Sequence, residues 1–384
     1  MKTCYLNNAA TPWPKPECVS AAMSSFLLRG GANSSWGSSS ERDMNTMNLV
    51  LDCRMKLADF FGGYDDKNPL LVTFTANITE SINIILRGYL KPGMNALTTS
   101  MEHNAVMRPL RALEKQGAGV KVLACDSEGR LNPDDLMREL SQAKYDLVVM
   151  SHASNVCGTV QPLEKAADIC MKFGVPLAAD TAQTAGVLSL NAEELGLAAL
   201  CFTGHKGLFG PQGTGGVVWS PDFAEKVTPL ITGGTGSYSH LEYQPEDMPD
   251  KFEAGTPNLP GIAGLNAALG WLNTTGITRI ADRERELGSR LLEGLARMKR
   301  VSLTGRHSMD GRMSVFAFNL EGVDNGTLAD RLSRSGFETR PSLHCAPGAH
   351  KTLGTFPEGA LRVSPGYFNT EEEIDAFLDE LRSL

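Results

Sequence analysis

Through its first half the chain alternates two patterns, short apolar runs and longer stretches whose apolar positions recur every three or four residues. The runs read as buried strands and the periodic stretches as helices packed on them. Residues 5–16 (YLNNAATPWPKP) form an extended entry with three prolines in its second half, so no helix starts before Lys15. A helix is expected from Pro16 to Leu28. The glycine- and serine-rich stretch from Gly30 to Ser40 reads as either a linker or a loop over a site. From Glu41 to Phe61, Met44, Met47, Leu51, Met55, Ala58 and Phe61 fall at helical spacing, and Gly62-Gly63 ends that helix.

A strand at Leu70–Phe74 runs through Thr75-Ala76-Asn77-Ile78-Thr79-Glu80 into a helix carrying Ile82, Ile85 and Leu86. The alternation then continues. Strands are expected at 96–99, 120–124, 147–150, 176–179, 198–202 and 216–219. Helices are expected at 106–116, 132–140 and 163–173, the last closed by Gly174. Such repetition implies a mainly parallel sheet covered on both faces. After loops at 232–236 and 253–260 come helices at 261–272 and 277–298. The last hundred residues change character, with strands at 314–320 and 360–364 and helices at 327–335 and from Thr370 onward. They read as a smaller α+β domain.

Composition narrows the class. At 384 residues, two domains are the natural expectation, and 42% hydrophobic with 21% charged residues is ordinary for a globular protein. A net charge of −8 without a basic stripe argues against a nucleic-acid partner. No apolar stretch is long enough to span a bilayer, and the N-terminus lacks the apolar core of a signal peptide. Eight cysteines without a CxxC pair read as reduced thiols rather than a disulfide framework or zinc site, so no metal is expected. A cytoplasmic enzyme is the expectation.

The candidate chemistry gathers where the strands end. His103, Asn155, Asp180 and Lys206 lie just past successive strands, on the edge where open α/β sheets bind ligands. Thr203-Gly204-His205-Lys206 opens a glycine-rich run, a setting in which a deprotonated lysine can bond covalently to a carbonyl cofactor. Pyridoxal phosphate needs such a lysine, an acid for its ring nitrogen, an anion site and a flat group over the ring. Asp180 offers the acid and His103 the flat group. Asn77, Ile78 and Thr79 offer phosphate donors at a helix N-terminus, supplemented by Thr203 and His205. Each has an ordinary reading when taken alone: Thr79 as a helix cap, Asp180 as a loop acid, His103 as a structural ring.

Taken in order, Tyr5-Leu6-Asn7-Asn8-Ala9-Ala10, Thr79-Glu80-Ser81-Ile82-Asn83, Glu102-His103-Asn104, Ser154-Asn155-Val156-Cys157-Gly158, Asp180-Thr181-Ala182-Gln183, Thr203-Gly204-His205-Lys206 and Ala254-Gly255-Thr256-Pro257-Asn258 span nearly the whole chain. In these blocks the chain resembles the class-V aminotransferases of the pyridoxal-phosphate fold type I group, specifically the cysteine desulfurase and selenocysteine lyase branch. The resemblance implies a large domain over residues 16–255 with a mainly parallel seven-stranded sheet. Residues 1–15 and 256–384 would form the smaller domain. It implies that Lys206 is the Schiff-base lysine, that Asp180 pairs the ring nitrogen, and that Asn155 and Gln183 bond the phenolic oxygen. His103 would stack on the ring. Thr79, Thr203 and His205 would hold the phosphate, joined by Thr256 from the partner subunit of a homodimer. Cys345, in Leu343-His344-Cys345-Ala346-Pro347, would be the sulfur acceptor. Arg362, with Arg340, Asn8 and Ala9, would bind the substrate. A thiol near arginine and histidine suits the reactive thiolate, and a guanidinium suits an amino-acid carboxylate.

The implied reaction converts L-cysteine to L-alanine and leaves the sulfur on Cys345 as a persulfide, with an acceptor protein as a possible further partner. Alternatives are a selenocysteine lyase, another class-V aminotransferase or β-lyase acting on a small amino acid, and a catalytically silent scaffold. The glycine-rich runs lack the P-loop order, which argues against a nucleotide. Two features depart from many relatives: Asn7-Asn8, where an aspartate often precedes the asparagine, and the segment from Cys345 to Arg362 with its own Gly348, His350 and Lys351.

Overall fold

A computed structural model describes residues 3–30 and 40–384. The expected loop from Gly30 to Ser40 lies outside the described residues except at its two ends. The strands are β1 (Cys4–Tyr5), β2 (Val72–Thr75), β3 (Asn95–Thr99), β4 (Gly119–Leu123), β5 (Leu147–Ser151), β6 (Leu177–Asp180), β7 (Ala199–Thr203), β8 (Gly215–Trp219), β9 (Val301–Thr304), β10 (Phe316–Leu320), β11 (Phe337–Glu338) and β12 (Leu361–Val363).

β2 to β8 build a seven-stranded sheet in the order β2-β8-β7-β6-β5-β3-β4. The five strands from β7 to β4 are parallel, and β8 runs antiparallel to both of its neighbours. This single reversal has a consequence for the site. Gly215, at the start of β8, pairs with Thr203 at the end of β7 and with Thr75 at the end of β2. Two parallel strand ends and the loop between them are thereby drawn to one point. Gly215 has no room for a side chain there: a Cβ would sit 2.9 Å from the Asn77 backbone and 3.0 Å from the Phe202 carbonyl.

Both faces of the sheet are covered, as the unbroken apolar runs require. One face packs under helices Glu41–Phe60, Leu163–Phe173 and Leu259–Thr275, the other under Ile78–Tyr89 and Asn104–Glu114. Leu259, Ile262, Leu265, Leu269 and Leu272 belong to the first of these cores, so packing on that side continues beyond residue 255. The C-terminal region carries an antiparallel sheet, β12-β10-β9, over a core that includes Leu287, Leu291, Phe316, Phe318 and Phe377. The N-terminal entry joins it: β1 pairs in parallel with β11, and Asn7 bridges to Ser364.

Most helices start within two residues of the expectation, and Leu163–Phe173 matches it, closed by Gly174 in the left-handed conformation. The first helix spans Glu17–Ser25 and widens into a π-turn at Phe26–Gly30. Several short elements escape the sequence reading, helix Pro221–Lys226 among them. β9 and β11 are too short and too polar to show a period. Helix Pro347–Thr352 lies inside an expected loop and forms because Ala346 and Ala349 are buried against Met101, Val156 and Ala317.

Candidate active site

Asp180 closes β6 and is 5% exposed, with Oδ1 accepting from the Ala182 N–H at 2.9 Å. Burial pushes its carboxyl above the usual range, while the Ala182 N–H and the charge of Lys206 pull it back. Lys206 follows β7. Burial brings its amine down to about 8 against the pull of Asp180; Arg362 and Arg340 lower it further, and Cys345 opposes them. Asp180 comes from the end of β6, whereas Arg340, Cys345 and Arg362 come from one stretch near the C-terminus. An amine in that range is neutral often enough near neutral pH to act as a nucleophile and a base. A narrow cleft beside it is lined by Lys206, Gly207, Gln183, Asn8, Ala9 and Ser364, among others.

The turn between β7 and β8 is held by its own backbone. Gly204 N–H donates to Thr214 O and Gly210 N–H to Gly204 O, both at 2.8 Å. The His205 carbonyl accepts from the Thr11 hydroxyl at 3.0 Å and the Lys15 ammonium at 2.5 Å. Burial takes the His205 imidazole down to about 4, aided by Lys206 and Lys15, so the ring is neutral. Its Nδ1 is buried without a partner. Beside this turn begins helix Ile78–Tyr89, whose first amides have no intrahelical acceptor. The Asn77 side chain is occupied as the cap, accepting from Glu80 N–H at 3.1 Å. The amides of Ile78 and Thr79 and the exposed Thr79 hydroxyl remain as donors. A partnerless imidazole nitrogen, helix-start amides and a glycine that admits no Cβ together fit a bound phosphate. Thr256 is exposed, in a cavity with Thr75, Ala76 and Thr214 whose lining does not include Lys206.

The C-terminal region supplies further residues around Lys206. Arg362 is 1% exposed; one terminal nitrogen donates to Asn155 O at 2.8 Å and the other to Asn7 Oδ1 at 3.0 Å. Its Nε is buried with no partner. Burial lowers this guanidinium to about 9, with Arg340 adding to the effect and Tyr5 and Cys345 opposing it. An arginine in such a position favours an incoming anion. Arg340 and Arg362 face each other as an antiparallel bridge. Asn8 donates to Ser364 O at 2.9 Å and Ala9 N–H to Ser364 Oγ at 2.9 Å, while Gln183 donates to the Ala9 carbonyl at 3.2 Å. Asn155 donates to the His344 carbonyl at 2.8 Å.

His103 caps helix Asn104–Glu114, its Nδ1 accepting from Ala105 N–H at 3.0 Å. Burial brings the ring to about 4, and Lys206, Arg340, Arg108 and Arg362 all act in the same direction. It is thus a flat neutral surface beside the cations of the site. Cys345 is exposed, and Arg340 Nη2 stands 3.9 Å from its Sγ. Ser342, His344 and Cys345 have φ of 92°, 48° and 58°, the left-handed region that costs a non-glycine residue about 1–2 kcal/mol. Burial pushes the Cys53, Cys125 and Cys170 thiols up to about 12, and Cys201 well up too, which leaves them inert.

Glu102 sits in the Glu102-His103-Asn104 block, and the sequence alone assigns it no role. It is buried, with Oε1 accepting from the Thr99 hydroxyl at 2.6 Å and Oε2 from Ser151 N–H and Oγ at 2.9 and 2.7 Å. Burial raises it to about 7, with Asp180 adding to the effect. The acid ties the end of β3 to the end of β5 beneath His103. Its position in Glu102-His103-Asn104 is the only signal that could have found it.

Comparison with known proteins gives the family. The aminotransferase class-V model matches residues 4–377. A probable cysteine desulfurase of Pyrococcus abyssi is 31% identical over 388 residues, covering 99% of this chain and 94% of the relative. The cysteine desulfurase CsdA of Escherichia coli is 30% identical over 382 residues, covering 98% and 92%. Among solved structures, the apo cysteine desulfurase of Thermococcus onnurineus superposes with a TM-score of 0.92 at 29% identity, covering 99% of this chain and 94% of that one. With the fold, the strand-edge site and a match along nearly its whole length, the chain belongs to the aminotransferase class-V family.

Proposed function

We propose that the protein is a pyridoxal-phosphate-dependent cysteine desulfurase that converts L-cysteine to L-alanine and takes the sulfur onto Cys345. The observation that carries this reading is the company of Lys206: the acid of Asp180, the guanidinium groups of Arg362 and Arg340 and the thiol of Cys345 all act on its buried amine. The cofactor, when bound, supplies an electron sink for the substrate carbons. Thr79, His205, Thr203 and the amides of Ile78 and Thr79 would hold its phosphate, Asp180 would keep its ring nitrogen protonated, and His103, Asn155 and Gln183 would contact its ring and phenolic oxygen.

Arg362 binds the substrate carboxylate through the nitrogen that has no protein partner, and Arg340 assists. Lys206 takes the proton from Cα and returns a proton to the product. The Cys345 sulfur attacks the substrate sulfur; an S–S bond forms as the Cβ–S bond breaks. Cysteine and a protein thiol thus become alanine and a protein persulfide, a balance that needs no external oxidant. Exposure of Cys345 lets an acceptor protein collect the sulfur. In a homodimer, the exposed Thr256 of one copy serves the phosphate site of the other. The test is to follow alanine and sulfide release from L-cysteine in the native protein and in Cys345→Ser. Native turnover with roughly 1% or less in the variant supports the reading. Equal sulfide release from both removes Cys345 from the reaction.

A further inference from the structure

Behind Cys345 runs a buried chain of hydrogen bonds whose direction is set at one end. The carbonyl of Arg340 can only accept, so His344 Nε2, 3.0 Å away, carries the proton. In a neutral ring, His344 Nδ1 is then an acceptor. The atom facing it at 3.1 Å is His350 Nε2, which must donate. His350 Nδ1 is left to accept, and the Thr355 hydroxyl lies 2.7 Å from it. Each link permits one tautomer only: Thr355 donates to His350, His350 to His344, and His344 to Arg340. The two rings stack with centroids 5.2 Å apart and 27° between planes, and His350 is 0% exposed. Burial takes His344 to about 3, helped by Arg362, and His350 to about 4, so both rings stay neutral and the chain keeps its direction.

The chain closes around the turn that presents the thiol. Ser342, His344 and Cys345 all hold positive φ without a glycine among them. The turn's outer bonds run to other elements: Asn155 Nδ2 to the His344 carbonyl at 2.8 Å, and Asn104 N–H to the Cys345 carbonyl at 2.7 Å. Neither bond fixes the His344 ring. That ring is fixed at Nε2 by Arg340, within the turn's own base, and at Nδ1 by His350, from helix Pro347–Thr352.

We propose that His350 is a positioning residue for Cys345: by donating to His344 Nδ1 it locks the left-handed turn and keeps Sγ against Arg340 and toward Lys206. The proposal rests on Cys345 being the sulfur acceptor for its kinetic consequence, but not for its structural one. His350→Phe keeps a flat ring and removes the donor. His350→Gln places an amide N–H near the position of Nε2, whereas His350→Asn is polar but too short to reach His344.

Two measurements on the cofactor-loaded protein decide the matter: hydrogen exchange of the peptide carrying residues 342–350, and steady-state sulfide release from L-cysteine. In the Phe and Asn variants, exchange in the turn quickens about tenfold and kcat falls about tenfold, with KM and the cofactor's absorbance unchanged; Gln restores both within about threefold. Native-like behaviour of Phe and Asn overturns the proposal, as does a Gln variant as impaired as they are, which would assign His350 to packing alone. Should the Phe variant not fold, the contrast between Gln and Asn decides by the same criteria. A turn loosened by Asn and restored by Gln, in a protein that releases no sulfide even in native form, upholds the lock and refutes the desulfurase reading.

Discussion

The backbone N–H of Asn104 donates to the carbonyl of Cys345 at 2.7 Å. The helix capped by His103 and the loop carrying the exposed thiol, 241 positions apart by subtraction of their residue numbers, are therefore pinned to one another. The helix that follows β3 and the loop that carries the thiol meet at that bond.

Lys206 titrates near 8 because it is buried, and Asp180 alone among the larger influences pulls it strongly upward. In cofactor-free protein, cyanate modification of Lys206, read by peptide mapping, should show a midpoint near 8, with exposed lysines titrating higher. Asp180→Asn should move the midpoint down. The stability sign follows: between about 8 and the ordinary 10.5 the unfolded chain binds the extra proton, so the cofactor-free fold gains up to about 1.4 kcal/mol per pH unit from this group as pH rises through that window. A Lys206 midpoint equal to that of surface lysines contradicts the burial argument.

Arg362 holds structure through its two terminal nitrogens, and on the proposed reading its Nε would be left for the substrate carboxylate. Arg362→Ala leaves the Asn155 carbonyl and Asn7 Oδ1 without their donors and should cost about 2–3 kcal/mol in a denaturant titration. It should also raise KM for L-cysteine. Arg362→Lys keeps the charge but not the planar fork, so KM should stay high even if stability partly returns. An unchanged KM in both variants means that the carboxylate is bound elsewhere.

Glu102 holds its proton up to about pH 7 because burial outweighs the three hydrogen bonds it accepts. Its folded pKa lies above the unfolded one, so the native protein binds more protons between about 4.5 and 7 and loses stability as pH rises through that window. Glu102→Gln, which does not titrate, should flatten this slope in thermal unfolding measured against pH. Glu102→Ala should cost about 2–3 kcal/mol by stranding the Thr99 and Ser151 donors. Equal slopes in native and Gln proteins would refute the raised pKa.

Among the described residues, Cys18 and Cys345 are the exposed thiols. Brief treatment of folded protein with iodoacetamide should label these two, and Cys345→Ser should leave label on Cys18 alone. Labelling of Cys53, Cys170 or Cys201 under native conditions would contradict their burial.

The residues themselves determined whatever depends on neighbours along the chain. Leu163–Phe173 ends at Gly174 because helical periodicity and a left-handed glycine are both local signals. Asp180 and Lys206 were legible as strand-end residues because apolar runs mark where buried strands stop. Tertiary structure decided what depends on which strands adjoin. The reversed β8 brings Thr75 and Thr203 to opposite sides of Gly215, and no local pattern announces a strand's direction. Glu102 finds Thr99 locally but reaches Ser151 only because β3 lies beside β5. His344, His350 and Thr355 form one chain only after Ala346 and Ala349 are drawn into a core with Met101, Val156 and Ala317, far away along the chain. Backbone propensity and apolar spacing act over a few residues, whereas hydrogen-bond partners and burial are set by the packing of distant segments.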